Sequence, residues 1–118
     1  ARDEVPHEAG LREVREETGL APTLVDDTTG VEAPNGETLP TPRHTMLYDV
    51  NVHGGTVGHQ HVDHVFFARA DSRTIDPADG EEPPAAWSWY TAPELRASDL
   101  ESDTVEIGLE AIRAVEAD

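Results

Sequence analysis

Cysteine is absent from the chain, and so is lysine. Without thiols there is no disulfide framework and no thiolate metal centre. Any metal must then be held by oxygen or imidazole. A chain without disulfides suits a reducing compartment, and a cytoplasmic location is expected. Aromatic residues make up only 5% of the 118 and apolar residues 36%, so the expected core is modest. No apolar run approaches the ~20 residues that span a bilayer, which argues against a membrane partner. No charged-then-apolar leader is present, so no secretion signal is expected.

What is abundant is negative charge. Twenty-five acidic residues face eight basic ones, all arginine, for a formal charge of −17. The acids run from end to end and do not gather in a tail. Such a field repels polyanions, so nucleic acid is not an expected partner. The plain reading is a solvated surface adapted to salt, where screening makes the charge tolerable. Lysine-free, acid-rich chains resemble proteins of salt-loving archaea; a high-GC bacterium is the other source considered.

Punctuation and periodicity divide the chain. Pro6 suits a first helical position and Gly19 a stop just past the last, predicting a helix over 6–18. "LAPTLVDD" then reads as the start of a strand. "APNGE" (33–37) reads as a turn in which Asn-Gly tolerates positive φ. "HTMLYDVNV" (44–52) has strand composition, "HGGTVGHQ" (53–60) is expected to be a loop, and "HVDHVFFARA" (61–70) a strand centred on Val65, Phe66 and Phe67. A polar loop (71–84) leads to a short aromatic strand, "AWSWYT" (86–91). Thr91 and Glu94 have capping-box spacing at the start of a short helix. Val105, Leu109, Ile112 and Val115 recur at steps of four and three, predicting an amphipathic helix from about Ser102 to Ala117. The order is helix, several strands, helix: an α+β or layered α/β/α domain.

The first helix carries the chemistry. At about 100° per residue, Glu13, Glu16 and Glu17 share one face, with neighbouring Cβ atoms about 5–6 Å apart. Leu11, Val14 and Thr18 form a different face that would dock on a sheet, while Glu8 and Arg15 face elsewhere. Like charges so placed repel by a few tenths of a kcal/mol per pair. A hard divalent cation reverses the sign, because carboxylate oxygens are its preferred ligands. Arg12, one turn before Glu16, can pair with it and hold its rotamer. Without a cation, the triplet is one more acidic face in an acidic protein.

The longer string is more specific. Glu4, seven residues, then Arg-Glu-Val-Arg-Glu-Glu-Thr-Gly-Leu (12–20) closely resembles the signature of the Nudix hydrolases. The signature's leading glycine would fall before Ala1, so the chain is expected to be a fragment, one Nudix domain over 1–118 lacking N-terminal strand(s). Val5 and Gly10 also depart, standing where the family often has a small polar cap and an alanine. The resemblance implies that Glu13, Glu16 and Glu17, with Glu4, hold Mg²⁺ or Mn²⁺, that Arg12 orients them, and that Glu4 alternatively activates water. Glu4, Arg12, Glu16 and Glu17 are the implied catalytic set. It implies an α/β/α sandwich around a mixed sheet, hydrolysis of a small-molecule nucleoside diphosphate derivative linked to another group X, and a homodimer as the usual form. The rival readings are a Nudix-like nucleotide-binding or sensor module with little turnover, and an acidic interaction protein.

Further candidates lie outside the signature. "HQHVDH" (59–64), read as a strand, turns His59, His61 and Asp63 to one side and Gln60 and His64 to the other. This pattern could line a substrate cleft or bind Zn²⁺ or Ni²⁺. Glu81 and Glu82 stand where family members often draw a general base, or are solvated acids. Trp87, Trp89 and Tyr90 could stack on a base, or pack their strand on the last helix. Arg43, Arg69 and Arg73 could hold phosphates.

Overall fold

A computed structural model describes residues 4–118, with the side chains of 51–53, 56 and 57 excepted. The elements in chain order are α1 (Pro6–Thr18), β1 (Thr23–Leu24), β2 (His44–His53), β3 (Thr56–Val65), β4 (Ala68–Arg69), a 3₁₀ turn (Pro84–Ala86), α2 (Ala92–Arg96) and α3 (Ser102–Ala117). Helices combine with antiparallel strand pairs, an α+β class. The chain divides into two compact units: residues up to Val25 with Phe67–Asp118, and Asp26–Phe66.

The first unit gathers Thr18, Leu20, Val25, Phe67 and Leu95, the buried residues among those described. α1 starts at Pro6 with no side-chain cap, because Val5 offers no acceptor. It ends where Gly19 enters the left-handed region at φ 74°, its N–H bonding the Arg15 carbonyl at 2.9 Å. That is the C-terminal device glycine favours. β1 and β4 pair antiparallel, Thr23 opposite Arg69 and Leu24 opposite Ala68, and the Val25 N–H continues to the Phe67 carbonyl at 2.8 Å. The buried Val25 and Phe67 thereby meet the core from one ladder.

α2 has the capping box expected of Thr91 and Glu94. The Glu94 N–H donates to Thr91 Oγ1 at 3.3 Å, and the Thr91 N–H to Glu94 Oε1 at 2.8 Å. These bonds hold the Glu94 carboxyl below its usual pKa, the Thr91 backbone donor first. α2 packs against α3 closely enough that a Cβ on Gly108 would stand 3.0 Å from Leu95 Cδ1. Val105, Leu109, Ile112 and Val115 of α3 are half-buried, as their spacing predicts. Arg69 holds the end of α3, donating to Asp118 Oδ2 at 2.7 Å and to the Val115 carbonyl at 2.9 Å. A cation at a helix C-terminus meets carbonyls left without intrahelical partners.

The second unit is dominated by the β2–β3 hairpin, two strands of ten residues each. Gly54 and Gly55 form its two-residue turn with φ 55° and 84°, a pair of positive values only glycine adopts freely. His44, Thr45, Met46, Leu47, Tyr48, Asp49 and Val50 face Val65, His64, Asp63, Val62, His61, Gln60 and His59 in turn. Met46, Tyr48 and Val50 are half-buried, while Thr45, Leu47 and Asp49 are exposed, a period of two.

Four sequence expectations need correction. The stretch 53–60 is not a loop: a Gly-Gly turn needs only two residues, so the ladder resumes at Thr56. The strand expected over 61–70 ends at Val65, and Ala68–Arg69 join β1 in a separate sheet. The aromatic stretch 86–91 is not a strand. Pro83 and Pro84 remove two donors and start a 3₁₀ turn, and the Trp89 indole N–H donates to the Arg73 carbonyl at 3.1 Å. The turn expected in "APNGE" is present, Pro34 and Asn35 turning between the bridged Ala33 and Gly36, although Gly36 itself has no positive φ. Among the described residues both sheets are two-stranded and antiparallel, and the mixed sheet is not seen.

Candidate functional site

The wheel drawn from sequence holds in three dimensions. On α1, Thr18 is buried, Leu11 and Val14 are half-buried, and Glu8 and Arg15 are exposed. Glu13 and Glu16 are exposed and Glu17 is half-buried. A rigid helix thus presents three carboxylates at steps of three and four.

Arg12 organises this face. Its Nε donates to both carboxylate oxygens of Glu4, at 2.8 and 3.0 Å. Its Nη1 donates to both oxygens of Glu16, at 3.0 and 3.2 Å. Its Nη2 lies 4.0 Å from Glu13 Oε1. One guanidinium therefore ties the residue ahead of the helix to two of the three face carboxylates. Arginine suits this role because its donors are spread over a fixed plane. The Arg12 hydrogen bond is the first cause that holds the Glu4 carboxyl down to about 2. Glu4, then Glu16, raise the pKa of Arg12 in turn.

The exit of α1 is held by a segment that composition marked only as a polar loop. The Asp76 N–H donates to the Thr18 carbonyl and the Ala78 N–H to the Glu16 carbonyl, both at 2.8 Å. These are among the last carbonyls of the helix, which have no intrahelical donor. Buried Thr18 adds a local lock: its hydroxyl donates to the Val14 carbonyl at 2.5 Å and accepts the Leu20 N–H at 3.2 Å. Gly19 is the only residue type that fits between. A Cβ there would overlap the Asp76 carbonyl oxygen and stand 2.8 Å from its carbon. The signal was present in sequence as Gly19 itself. Its partner at Asp76 was not, because the contact spans more than fifty residues of chain.

The donor chemistry fits a hard divalent cation: carboxylate oxygens, no thiolates, all on one helical face. The present rotamer of Glu16 serves Arg12. Among the described residues no three His, Asp or Glu side chains stand close enough to share a cation. Cation binding at this face requires the Glu16 carboxylate to swing from Arg12 toward Glu13 and Glu17, a rotamer change on a fixed backbone.

The other candidates fall elsewhere. Arg69 is spent on the end of α3, so the phosphate role read for it gives way to a helix-terminus role. Arg73 is exposed and holds Trp89 through its carbonyl; Arg43 is half-buried in the second unit. Glu81 and Glu82 are exposed, and the Glu81 N–H closes a turn onto the Ala78 carbonyl at 3.2 Å. Trp87, Trp89 and Tyr90 are 40%, 46% and 40% exposed. That is too open for the packing of a strand against α3. His59, His61 and Asp63 share one side of β3 and His64 takes the other, where it lies 3.5 Å from Thr45 Oγ1. No helix among the described residues is long and apolar enough to cross a membrane.

Two of three comparisons with known proteins find similar ones. The family model for the NUDIX domain matches residues 1–108, which span both compact units. A crystal structure described as a hydrolase of the NUDIX family from Clostridium perfringens is similar, with a TM-score of 0.79 and 26% sequence identity. That likeness covers 98% of this chain and 76% of the other. No curated protein matches.

Proposed function

The chain belongs to the NUDIX family, and from that premise we propose that it is a divalent-cation-dependent pyrophosphohydrolase acting on a nucleoside diphosphate linked to another group X. The observation that carries this is the Glu4–Arg12–Glu16 network on a helix whose same face bears Glu13 and Glu17. We read both compact units as parts of one domain, since the family match runs through each. The lack of cysteine supports a cytoplasmic setting, and the charge of −17 supports a small-molecule substrate over nucleic acid.

In the proposed reaction, water attacks one phosphorus of the pyrophosphate, and the P–O bond to the bridging oxygen breaks. The bridging oxygen leaves with the other phosphate, and the water proton passes to a carboxylate. Glu13, Glu16 and Glu17, with Glu4 beside them, would hold Mg²⁺ or Mn²⁺. Bound there, the ion supplies charge neutralisation of the pyrophosphate and acidifies the attacking water. Arg12 keeps Glu4 ionised and limits the rotamers of Glu4 and Glu16. Thr18, Gly19 and the Asp76–Ala78 segment keep the backbone under Glu16 in place. A preset ligand frame lowers the reorganisation needed as charge develops.

The test is hydrolysis of a panel of nucleoside diphosphate derivatives with Mg²⁺ or Mn²⁺, in molar salt, beside Glu16→Gln and Glu17→Gln. The expected result is cation-dependent turnover that collapses in both variants while the fold is retained. Nucleotide binding without turnover by the parent would replace the enzyme reading with a binding module.

A further inference from the structure

Outside α1, the densest group of metal-ligating side chains is on β3. His59 and His61 lie two residues apart on one strand, on the side of the hairpin whose cross-strand partners are Val50 and Tyr48. Both are exposed. Strand geometry spaces such side chains about 6.5–7 Å apart. The two imidazole ring centres are only 5.0 Å apart and their planes are tilted by 45°. The rings lean together without stacking face to face.

That spacing is compatible with a shared ion. A metal–nitrogen bond of about 2.0–2.1 Å puts a cation about 3.2 Å from each ring centre. At a tetrahedral angle the two centres are then about 5.2 Å apart. The observed separation meets this without moving the backbone. Imidazole selects borderline cations over Mg²⁺, which prefers oxygen. Asp63 continues the same side one pleat further on, and no third donor converges among the described residues.

We propose that His59 and His61 form a two-point site for a borderline divalent cation, Zn²⁺ or Ni²⁺, using none of the α1 carboxylates. Water completes the coordination. The ligand pair lies within one strand, so the hairpin needs no rearrangement to accept the ion. This inference is independent of the hydrolytic reading.

The experiment titrates Zn²⁺ alone, and Ni²⁺ alone, into the full chain held in millimolar Mg²⁺. Histidine ring NMR signals and calorimetry are the readouts. The site predicts that the His59 and His61 signals respond at one equivalent while that of His64, on the other side, does not. His59→Gln and His61→Gln each weaken binding at least about tenfold, by the loss of one of two ligands. His64→Gln and Glu16→Gln leave it unchanged. Titration of the parent protects the test against a variant that fails to fold. Zn²⁺ binding that survives loss of both histidines, that disappears in Glu16→Gln, or that is absent altogether would overturn the site.

Discussion

Replacing Gly19 by alanine sets two penalties against one gain. The backbone there has φ 74°, where a side chain costs about 1–2 kcal/mol. The new Cβ would also overlap the Asp76 carbonyl oxygen, with the carbonyl carbon at 2.8 Å and the Cα at 3.2 Å. All three are main-chain atoms, so no rotamer relieves the clash. The 71–84 loop must retreat, which strains or breaks the 2.8 Å bond from the Asp76 N–H to the Thr18 carbonyl. Overpacking of this kind costs about 1–3 kcal/mol. The reduced entropy of the unfolded chain returns about 0.4–1 kcal/mol. The net expectation is a loss of about 2–4 kcal/mol, a large share of an ordinary domain's stability.

The assay is urea unfolding at fixed, high salt, with Gly10→Ala as the companion. Gly10 is also in α1, but its Cβ would meet nothing within 4 Å. That variant should gain about 0.5–1 kcal/mol from helix propensity alone. Gly19→Asn separates the two penalties, because asparagine tolerates positive φ yet still carries a Cβ. It should recover up to about 1–2 kcal/mol of the loss, the backbone part, and keep the overpacking part of about 1–3 kcal/mol. A Gly19→Ala protein within about 0.5 kcal/mol of the parent would refute the close approach of Asp76 to the helix end. Recovery of parental stability by Gly19→Asn would leave backbone conformation as the whole explanation.

Three further outcomes follow from contacts already described. Thr91→Ala removes the cap of α2 and should cost about 0.5–2 kcal/mol by thermal or chemical unfolding, with Thr91→Ser close to the parent. Glu4 has its pKa lowered from 4.5 to about 2, so its contribution to stability is complete above pH 4.5 and is lost as pH falls toward 2. Glu4→Gln should flatten the stability–pH curve in that window and nowhere above it; an unchanged slope would show that the Arg12 pair does not persist in solution. Arg12→Lys keeps one charge but cannot serve Glu4 and Glu16 from separate nitrogens. It should lower kcat/KM about 10–100-fold and raise the Mg²⁺ concentration needed for half activation, with far-UV circular dichroism unchanged.

The sequence made α1 legible to the residue because its boundaries are local chemistry. Pro6 and Gly19 act within one turn, and the periodicity of Leu11, Val14 and Thr18 needs no partner to be seen. The capping box of α2 and the stripe of α3 are local in the same sense. The hairpin was misjudged because glycine density was read as length, whereas Gly54-Gly55 is a complete turn. The strand over 61–70 was read too long because apolar Phe66 and Phe67 continue the composition while the ladder does not. What single-sequence reasoning could not reach were the long-range bonds. The clasp of Asp76 and Ala78 on α1 consists of backbone groups, which leave no residue-type signature. Arg69 read as a free cation because nothing in its neighbourhood in sequence announces the end of α3.

These bonds explain why one turn of helix can hold so much like charge. Glu13, Glu16 and Glu17 repel one another, and repulsion within a helix is relieved most cheaply by fraying its nearer end. That end is the last turn, which carries Glu16 and Glu17. Fraying would have to break the two 2.8 Å bonds from Asp76 and Ala78 and expose buried Thr18. At the other end, Glu4 and Arg12 tie the chain ahead of Pro6 to the second turn. With both ends fixed, the repulsion cannot relax through the backbone. It remains in the side chains, where a cation can relieve it. If Glu16 and Glu17 hold a cation as proposed, a substitution at Gly19 would loosen the last turn and weaken cation affinity without touching a ligand.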